Sequence, residues 1–261
     1  MTTLFEEERK REIAQYVQSR GRALVPELAV QFNVSESTVR RDLRDLEEAR
    51  QLRRTHGGAV AIEQDSVEPT FIEKEDRYRS QKEEIARSAL AFIEEGDTIF
   101  LDSGTTTYYL AQHLKDFQEL TVVTNSNMVA EVLKQAKHIQ ILLTGGTLRH
   151  ETQAMVGPLA NRSIGAIRVN KLFLAMNGVD TDAGLTTPNL TEAETKRCMI
   201  QAAKQIILVA DHSKFGQISF AKVADLAEIH HCIVDEAVSE QAIGEMEAEG
   251  IKVTIAGRTS R

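Results

Sequence analysis

The sequence predicts an α/β protein in which an N-terminal winged helix-turn-helix is joined to a larger α/β domain with a mostly parallel sheet. Three observations lead there. Residues 35–60 set an amphipathic, arginine-bearing helix beside a short glycine-containing hairpin. From residue 98 onward, seven short apolar runs alternate with helical segments, as the strands of a parallel sheet do. Five of those runs end in polar or glycine-rich turns, and open α/β sheets bind ligands outside the carboxyl ends of their strands.

Taken in order, residues 6–20 predict a first helix, with Ile13, Tyr16 and Val17 at helical spacing and Gly21 ending it. A second helix starts at Pro26, a good first-turn residue, and buries Leu28, Ala29 and Phe32. Asn33-Val34 turns into a third, where Val39, Leu43 and Leu46 recur at i, i+4 and i+7 and give one apolar face. Ser35 stands at the N-cap, with Thr38 where a full capping box would have Glu or Gln. The other face carries Ser37, Thr38, Arg40, Arg41, Arg44 and Glu48. Leu52 to Val60 reads as a strand, a tight Gly57-Gly58 turn needing positive φ, and a return strand. Together these make a winged helix-turn-helix whose third helix enters the major groove and whose Arg53, Arg54, His56 and Gly57 meet phosphate or the minor groove. On charge alone, Arg41 with Asp45 and Arg44 with Glu48 read equally well as i,i+4 pairs on a solvated helix.

Residues 61–80, with Gln64, Asp65, Ser66, Glu68, Pro69 and Lys74 and little apolar periodicity, read as a linker between domains 1–60 and 81–261. A helix follows from Gln81, with Ile85, Ala89, Phe92 and Ile93 inward and Gly96 at its C-cap. Strands are expected near 98–102, 120–125, 139–144, 171–176, 206–210, 230–234 and 251–255. The polar strand ends are Asp102-Ser103-Gly104-Thr105-Thr106-Thr107, Thr124-Asn125-Ser126, Thr144-Gly145-Gly146, Asn177-Gly178-Val179-Asp180 and Asp211-His212-Ser213-Lys214-Phe215. The first has the chemistry of a phosphate cradle: backbone N–H groups in a small-residue turn, hydroxyls, and a helix N-terminus aimed at an anion, with Lys214 as counter-charge. Thr191 with Glu194 reads as a capping box.

Composition narrows the class. A hydrophobic content of 42% with 27% charged residues is ordinary for a globular chain, and no apolar run is long enough to span a bilayer. The N-terminus lacks an apolar signal core, so a cytoplasmic protein without membrane contact is expected. Cys198 and Cys232 lack metal-ligand spacing and read as reduced, with no metal or cofactor implied. The net charge of −8 is unevenly spread: residues 1–60 hold 11 Lys and Arg against 10 Asp and Glu, residues 61–261 hold 20 against 29. The acid belongs to the second part, where it repels DNA and discourages loose binding.

The segments Glu27-Leu28-Ala29, Phe32-Asn33-Val34-Ser35-Glu36, Thr38-Val39-Arg40-Arg41-Asp42-Leu43, Leu46-Glu47 and His56-Gly57-Gly58-Ala59 closely resemble the N-terminal signature of the DeoR family of bacterial transcriptional regulators. One departure is that Glu48-Ala49-Arg50-Gln51 replaces the glycine usual after the recognition helix. Asp102–Thr107, Val123-Thr124-Asn125-Ser126, Leu142–Gly146, Asn177–Asp180, Glu194–Lys196 and Ala210–Gly216 resemble the family's effector domain, so the likeness covers nearly the whole chain. The resemblance implies a fold similar to ribose-5-phosphate isomerase and glucosamine-6-phosphate deaminase, and a regulator, usually a repressor, that senses phosphorylated sugars. It places Ser103, Gly104, Thr105, Thr106 and Lys214 at the phosphate, with Asp102, Asn125, Asn177, Asp180, Glu192 and Lys196 facing the polyol and Gly146 in a neighbouring turn. Expected partners are double-stranded operator DNA, a phosphorylated sugar and further copies of the chain, as dimer or tetramer. An activator, or a sugar-phosphate isomerase or deaminase with a DNA-binding arm, is the alternative; Asp180, Asp182, Glu192, Glu194 and His212 would then supply acid and base.

Overall fold

A computed structural model describes residues 6–20, 22–49, 51–55, 57–60 and 68–257, and these divide into two units, Met1–Glu68 and Pro69–Arg261. In the first unit the chain runs α1 (Glu6–Arg20), β1 (Arg22–Leu24), α2 (Val25–Gln31), α3 (Glu36–Glu48), β2 (Arg53–Thr55) and β3 (Gly58–Val60). The apolar stripes meet as their spacing requires: Ile13, Val17, Leu28, Val39, Leu43, Leu46 and Leu52 are all buried in one core. Tyr16 and Phe32 add an edge-to-face ring contact at 6.0 Å. The expected Gly21 stop lies outside the described residues.

The wing differs from the expected two-stranded hairpin. Its sheet has three antiparallel strands in the order β1-β3-β2, with Thr55 opposite Gly58, so Gly58 already belongs to β3. Gly58 is required for a reason other than positive φ. A Cβ there would stand 2.1 Å from the Ala23 carbonyl of β1.

The second unit begins inside the stretch expected as linker. Residues Phe71–Asp76 form α4, closed at its start by a Thr70/Glu73 capping box, and α5 (Arg79–Ala89) begins before the expected Gln81. Gln64, Asp65 and Ser66 lie outside the described residues. After a 3-10 turn the helix stops at Ile93, three residues short of Gly96, which instead takes φ +85° in the turn before the first sheet strand.

The remaining elements are β4 (Thr98–Leu101), α6 (Thr105–Gln112), β5 (Leu120–Thr124), α7 (Asn127–Leu133), β6 (Ile139–Leu143), β7 (Thr147–Arg149), β8 (Ala154–Val156), α8 (Pro158–Gly165), β9 (Val169–Leu174), β10 (Gly178–Asp180), β11 (Gly184–Thr187), α9 (Leu190–Ala202), β12 (Ala203–Ala210), β13 (Ala221–Ala224), β14 (His231–Val234), α10 (Glu240–Ala248) and β15 (Lys252–Ile255). All seven expected strands are present and form one parallel sheet in the order β15-β14-β12-β9-β4-β5-β6. Both faces are covered, one by Leu172, Leu174, Leu208 and Met199, the other by Ile99, Leu101, Val122 and Ile85. Doubly covered strands read as the continuous apolar runs seen in the sequence. Two additions were not expected: the β7–β8 hairpin, and a small antiparallel sheet β10-β11-β13. Among the described residues no helix is long and apolar enough to cross a membrane.

Candidate functional site

On α3, Ser35 caps the helix by accepting from the Thr38 N–H at 3.2 Å, and its Oγ lies 2.7 and 2.9 Å from the hydroxyls of Ser37 and Thr38. Arg40 pairs with Glu36 at 2.9 Å on the exposed surface, a contact of little energetic weight. The alternative pairing of Arg41 with Asp45 and Arg44 with Glu48 is not formed. Asp45 is taken by Lys10 of α1 at 2.8 Å, and this ammonium, with Arg44 and Arg41 nearby, holds its carboxyl below the usual range. Arg41 and Arg44 are therefore exposed cations with no ion-pair partner among the described residues. Arg54 reaches back from the wing to Glu47, its N–H at 2.8 Å from the carboxylate, which ties β2 to α3. The Gly57 carbonyl accepts from Val25 N–H at 2.9 Å. The Arg53 side chain and His56 lie outside the described residues. The absent glycine after α3 is no obstacle to ending it, since Ala49 closes the helix at φ −77°.

Sequence reasoning missed what orients this face. Asp42 is buried and accepts from Arg9 Nε at 2.7 Å and Nη2 at 3.1 Å, a two-pronged pair joining α3 to α1. The signal was present, because position 42 falls inside the apolar stripe of Val39, Leu43 and Leu46, where an acid demands a buried cation. Arg9 lies one helical turn before the buried Ile13.

In the second unit, Asp102, Ser103, Gly104, Thr105, Thr106, Asn125, Asn177 and Lys214 follow the carboxyl ends of β4, β5, β9 and β12, on one edge of the sheet. Asp102 is fully buried and accepts from Lys196 Nζ at 2.5 Å, from Ala175 N–H at 3.0 Å and from Ser103 N–H at 2.8 Å. Burial pushes its carboxyl above the usual range, against the pull of the Lys196 ammonium. Lys196, itself buried, also lies 3.6 Å from Glu192, and Glu192 in turn holds Arg149 of β7 and, at 3.4 Å, the Thr152 hydroxyl. A chain of alternating charge thus runs from β4 to the β7–β8 hairpin. Arg149 and Thr152 were not read from the sequence.

The cradle turn has a close approach at its centre. Gly104 is extended, and a Cβ there would sit 2.6 Å from the Ala175 side chain. Thr105 and Thr106 are buried in the first turn of α6, while Thr107 spends its hydroxyl on the Asp102 carbonyl at 2.6 Å. Three side-chain atoms near this edge are buried without a partner among the described residues: Ser103 Oγ, Asn125 Oδ1 and Asp211 Oδ2. Buried polar groups left unpaired are costly, so atoms of this kind mark where a polar ligand completes the structure.

Lys214 stands beside Asp211 at the end of β12, separated from the cradle strand β4 by β9. Its neighbours there are Lys74, Arg77 and Lys82. Burial draws the Lys214 ammonium below its ordinary range and Lys82 down to about 8, with Asp211 opposing both shifts. Lys82 also donates to the carbonyls of Lys74 and Arg77 at the end of α4. The sequence marks Lys74 only as a linker residue and gives Lys82 no signal of its own.

Other candidates have local duties. Asp180 caps the β10–β11 hairpin, accepting from the N–H groups of Asp182 and Ala183 at 3.0 and 2.9 Å, and it makes no hydrogen bond or ion pair with Lys196 or Glu192. Asn177 accepts from the Thr187 hydroxyl at 3.0 Å. Gly146 takes φ +117°, and a Cβ there would stand 2.7 Å from the Val156 carbonyl. The capping residue of α9 is Asn189, which accepts from Glu192 N–H at 3.0 Å, and not Thr191 with Glu194. Cys232 is buried and Cys198 half-buried, both free thiols.

Two family models match the chain, the DeoR-like helix-turn-helix domain over residues 9–65 and the DeoR C-terminal sensor domain over residues 77–236. The chain is 39% identical over 247 residues to the uncharacterised HTH-type transcriptional regulator YulB of Bacillus subtilis, covering 95% of both chains. It is 38% identical over 246 residues to the HTH-type transcriptional regulator GlpR of Haloferax volcanii, covering 94% of this chain and 96% of that one. With the lactose phosphotransferase system repressor of Staphylococcus epidermidis it shares 36% over 227 residues, 86% and 90% of the two chains. Among solved structures, the ribose 5-phosphate isomerase of Methanocaldococcus jannaschii is similar with a TM-score of 0.40 at 14% identity, over 52% of this chain and 54% of that one. The relatives that match along the whole length are regulators, not enzymes.

Proposed function

The chain belongs to the DeoR family of DNA-binding transcriptional regulators, and we propose that it represses a sugar or polyol operon and releases or tightens its operator when a phosphorylated sugar enters the sensor domain. The observation that carries this is the combination at one sheet edge of buried, unpartnered polar atoms on Ser103, Asn125 and Asp211 with the half-buried to buried ammonium groups of Lys214 and Lys82. Hydroxyl-rich anions supply what both halves lack. Ser103, Gly104, Thr105 and Thr106 offer N–H and hydroxyl donors at the start of α6, Lys214 and Lys82 the counter-charge, and the Asp102–Lys196–Glu192 chain acceptors and a donor for sugar hydroxyls. On α3, Ser37, Thr38, Arg40, Arg41 and Arg44 read the major groove, while Arg54 and the wing contact the backbone. The protein works in the cytoplasm as a homo-oligomer, because one winged helix buries too little DNA surface for tight selective binding and two-fold copies read repeated half-sites.

Titrating operator binding with matched phosphorylated and unphosphorylated sugars tests the reading. A response to the phosphorylated member alone is expected, and an equal response to both would remove the anion site from the account. Light scattering at micromolar concentration tests the assembly; a monomer that still binds operator tightly would exclude it.

A further inference from the structure

The β7–β8 hairpin is bonded on three sides. Toward the pocket, Arg149 pairs with Glu192, whose other oxygen lies 3.6 Å from Lys196, and Lys196 holds Asp102 at 2.5 Å. Toward β5, Met155 N–H donates to the Asn125 carbonyl at 2.7 Å, and Asn125 Nδ2 donates to Met155 in return at 3.3 Å. At its tip, the Glu151 carbonyl accepts from Phe71 N–H at 2.6 Å. Phe71 is the first residue of α4, at the very start of the unit that follows the DNA-binding one. The first N–H groups of a helix have no partner of their own, and here the hairpin supplies one. The Phe71 ring is buried and meets Tyr108 edge-on at 5.4 Å, on the helix whose N-terminus is the cradle.

We infer that this hairpin is the transmission element of the switch: the Arg149–Glu192 pair senses what occupies the pocket, and the Glu151–Phe71 bond passes its position to the segment that carries the DNA-binding unit. The inference rests on the reading of the sheet edge as the effector site. Both Glu192 oxygens are already engaged, Oε1 by Lys196 and Oε2 by Arg149 and Thr152, so a ligand hydroxyl seeking this carboxylate must share it with Arg149. The pair is nearly enclosed, with side-chain exposures of 15% and 3%, so salt does little to screen its rearrangement. Arg149 also reaches Glu151 at the hairpin tip, its Nη2 3.7 Å from that carboxylate while Nη1 holds Glu192. One guanidinium bridging pocket and tip gives the coupling a contiguous physical path.

Amide hydrogen exchange on the full-length protein, without any added sugar, decides it independently of the effector's identity. Arg149→Met keeps the aliphatic stem and removes the charge; Glu192→Gln removes the partner. In both, exchange at residues 71–76 is expected to quicken about fivefold or more while β14 and β15 keep wild-type protection, as a local opening does. Acceleration confined to residues 147–156 would overturn the proposal. If either variant loses protection throughout, the test passes to Phe71→Pro, which removes the ring and the N–H donor at a helix position that accepts proline, against Phe71→Ala, which removes the ring and keeps the donor. Faster exchange at residues 150–153 in the proline variant alone supports the link, and equal exchange in the two overturns it. A wild-type protein whose operator binding ignores fructose 1-phosphate, glucose 6-phosphate, ribose 5-phosphate and glycerol 3-phosphate would count against the sugar-phosphate reading, while the exchange result still decides the hairpin.

Discussion

At the residue scale, the exposed arginines of α3 differ in what they are free to do. Arg40 already holds Glu36, whereas Arg41, whose candidate partner Asp45 is held by Lys10, and Arg44 have no ion-pair partner among the described residues. Arg41→Ala and Arg44→Ala are expected to weaken operator binding. A base-reading arginine costs about 1–3 kcal/mol and relaxes specificity at one position, and a phosphate-contacting one lowers the salt slope by about one unit. Binding measured at several salt concentrations on operator variants separates the two, and an unchanged affinity in the double variant would remove α3 as the reader. Lys82 makes a second prediction through pH. Burial sets its folded value at about 8, below the 10.5 of an unfolded chain. Between those values the unfolded chain binds the extra proton, so this group's cost to stability is fully present below pH 8 and is relieved as pH rises toward 10.5. Its charge is lost over the same rise. A bound phosphate is already a dianion above pH 7, so affinity for a phosphorylated sugar is expected to fall from pH 7 to pH 9 in the wild type and to fall less in Lys82→Arg, where Lys214 is the lowered ammonium that remains. Calorimetric titration at constant ionic strength checks this; a wild-type affinity indifferent to pH excludes Lys82 from the anion site.

At the scale of elements, α3 is aimed by what it packs on. Removing Asp42 leaves the Arg9 guanidinium nearly buried without its two-pronged acceptor, so Asp42→Ala is expected to destabilise the first unit by about 3–5 kcal/mol. Denaturant unfolding followed on the full chain reads the loss, and a change below about 1 kcal/mol would show the pair to be solvated. The inner sheet strands were legible because strands covered on both faces read as apolar runs, as Ile206–Ala210 of β12 does. The β7–β8 hairpin was not legible: Thr147-Leu148-Arg149 is short, half polar and stabilised by Asn125 and Glu192, which lie far off in sequence. Gly58 was singled out with the wrong cause, because its constraint comes from Ala23 across a β1 strand that three residues are too few to announce. The cap of α9 was misplaced for a local reason, since Asn189 and Thr191 are both good N-caps and tertiary packing chose between them. For the pocket, the residues on the strand ends could be named, but the Lys74 and Lys82 contribution could not, because it depends on how α4 and α5 fold back toward Asp211.

At the scale of the whole molecule, the sensing unit and the reading unit are separate in sequence and share no residue, so function requires a coupling free energy between them. The acidic body and the exposed arginines of α3 divide the labour, one discouraging loose contact with DNA and the other supplying the attraction. A ligand can move such an equilibrium only as far as it prefers one state, and couplings of about 1–3 kcal/mol change operator affinity roughly 5- to 150-fold. Thr105 stands in the first turn of α6 and Lys214 beside Asp211, both in the second unit and neither on the DNA-reading face. The double change Thr105→Ala, Lys214→Ala is therefore expected to abolish the response to a phosphorylated sugar while leaving ligand-free operator affinity within about twofold of wild type, as independent sites behave. Thermal unfolding of the same variant distinguishes lost binding from lost transmission: a sugar phosphate at 100 times its Kd stabilises the wild type by about 2.7 kcal/mol, and that gain disappears only if the pocket itself has failed. A variant that keeps the stabilisation and loses the operator response would move Thr105 and Lys214 from binding to signalling, and one that keeps both would take the cradle out of the mechanism.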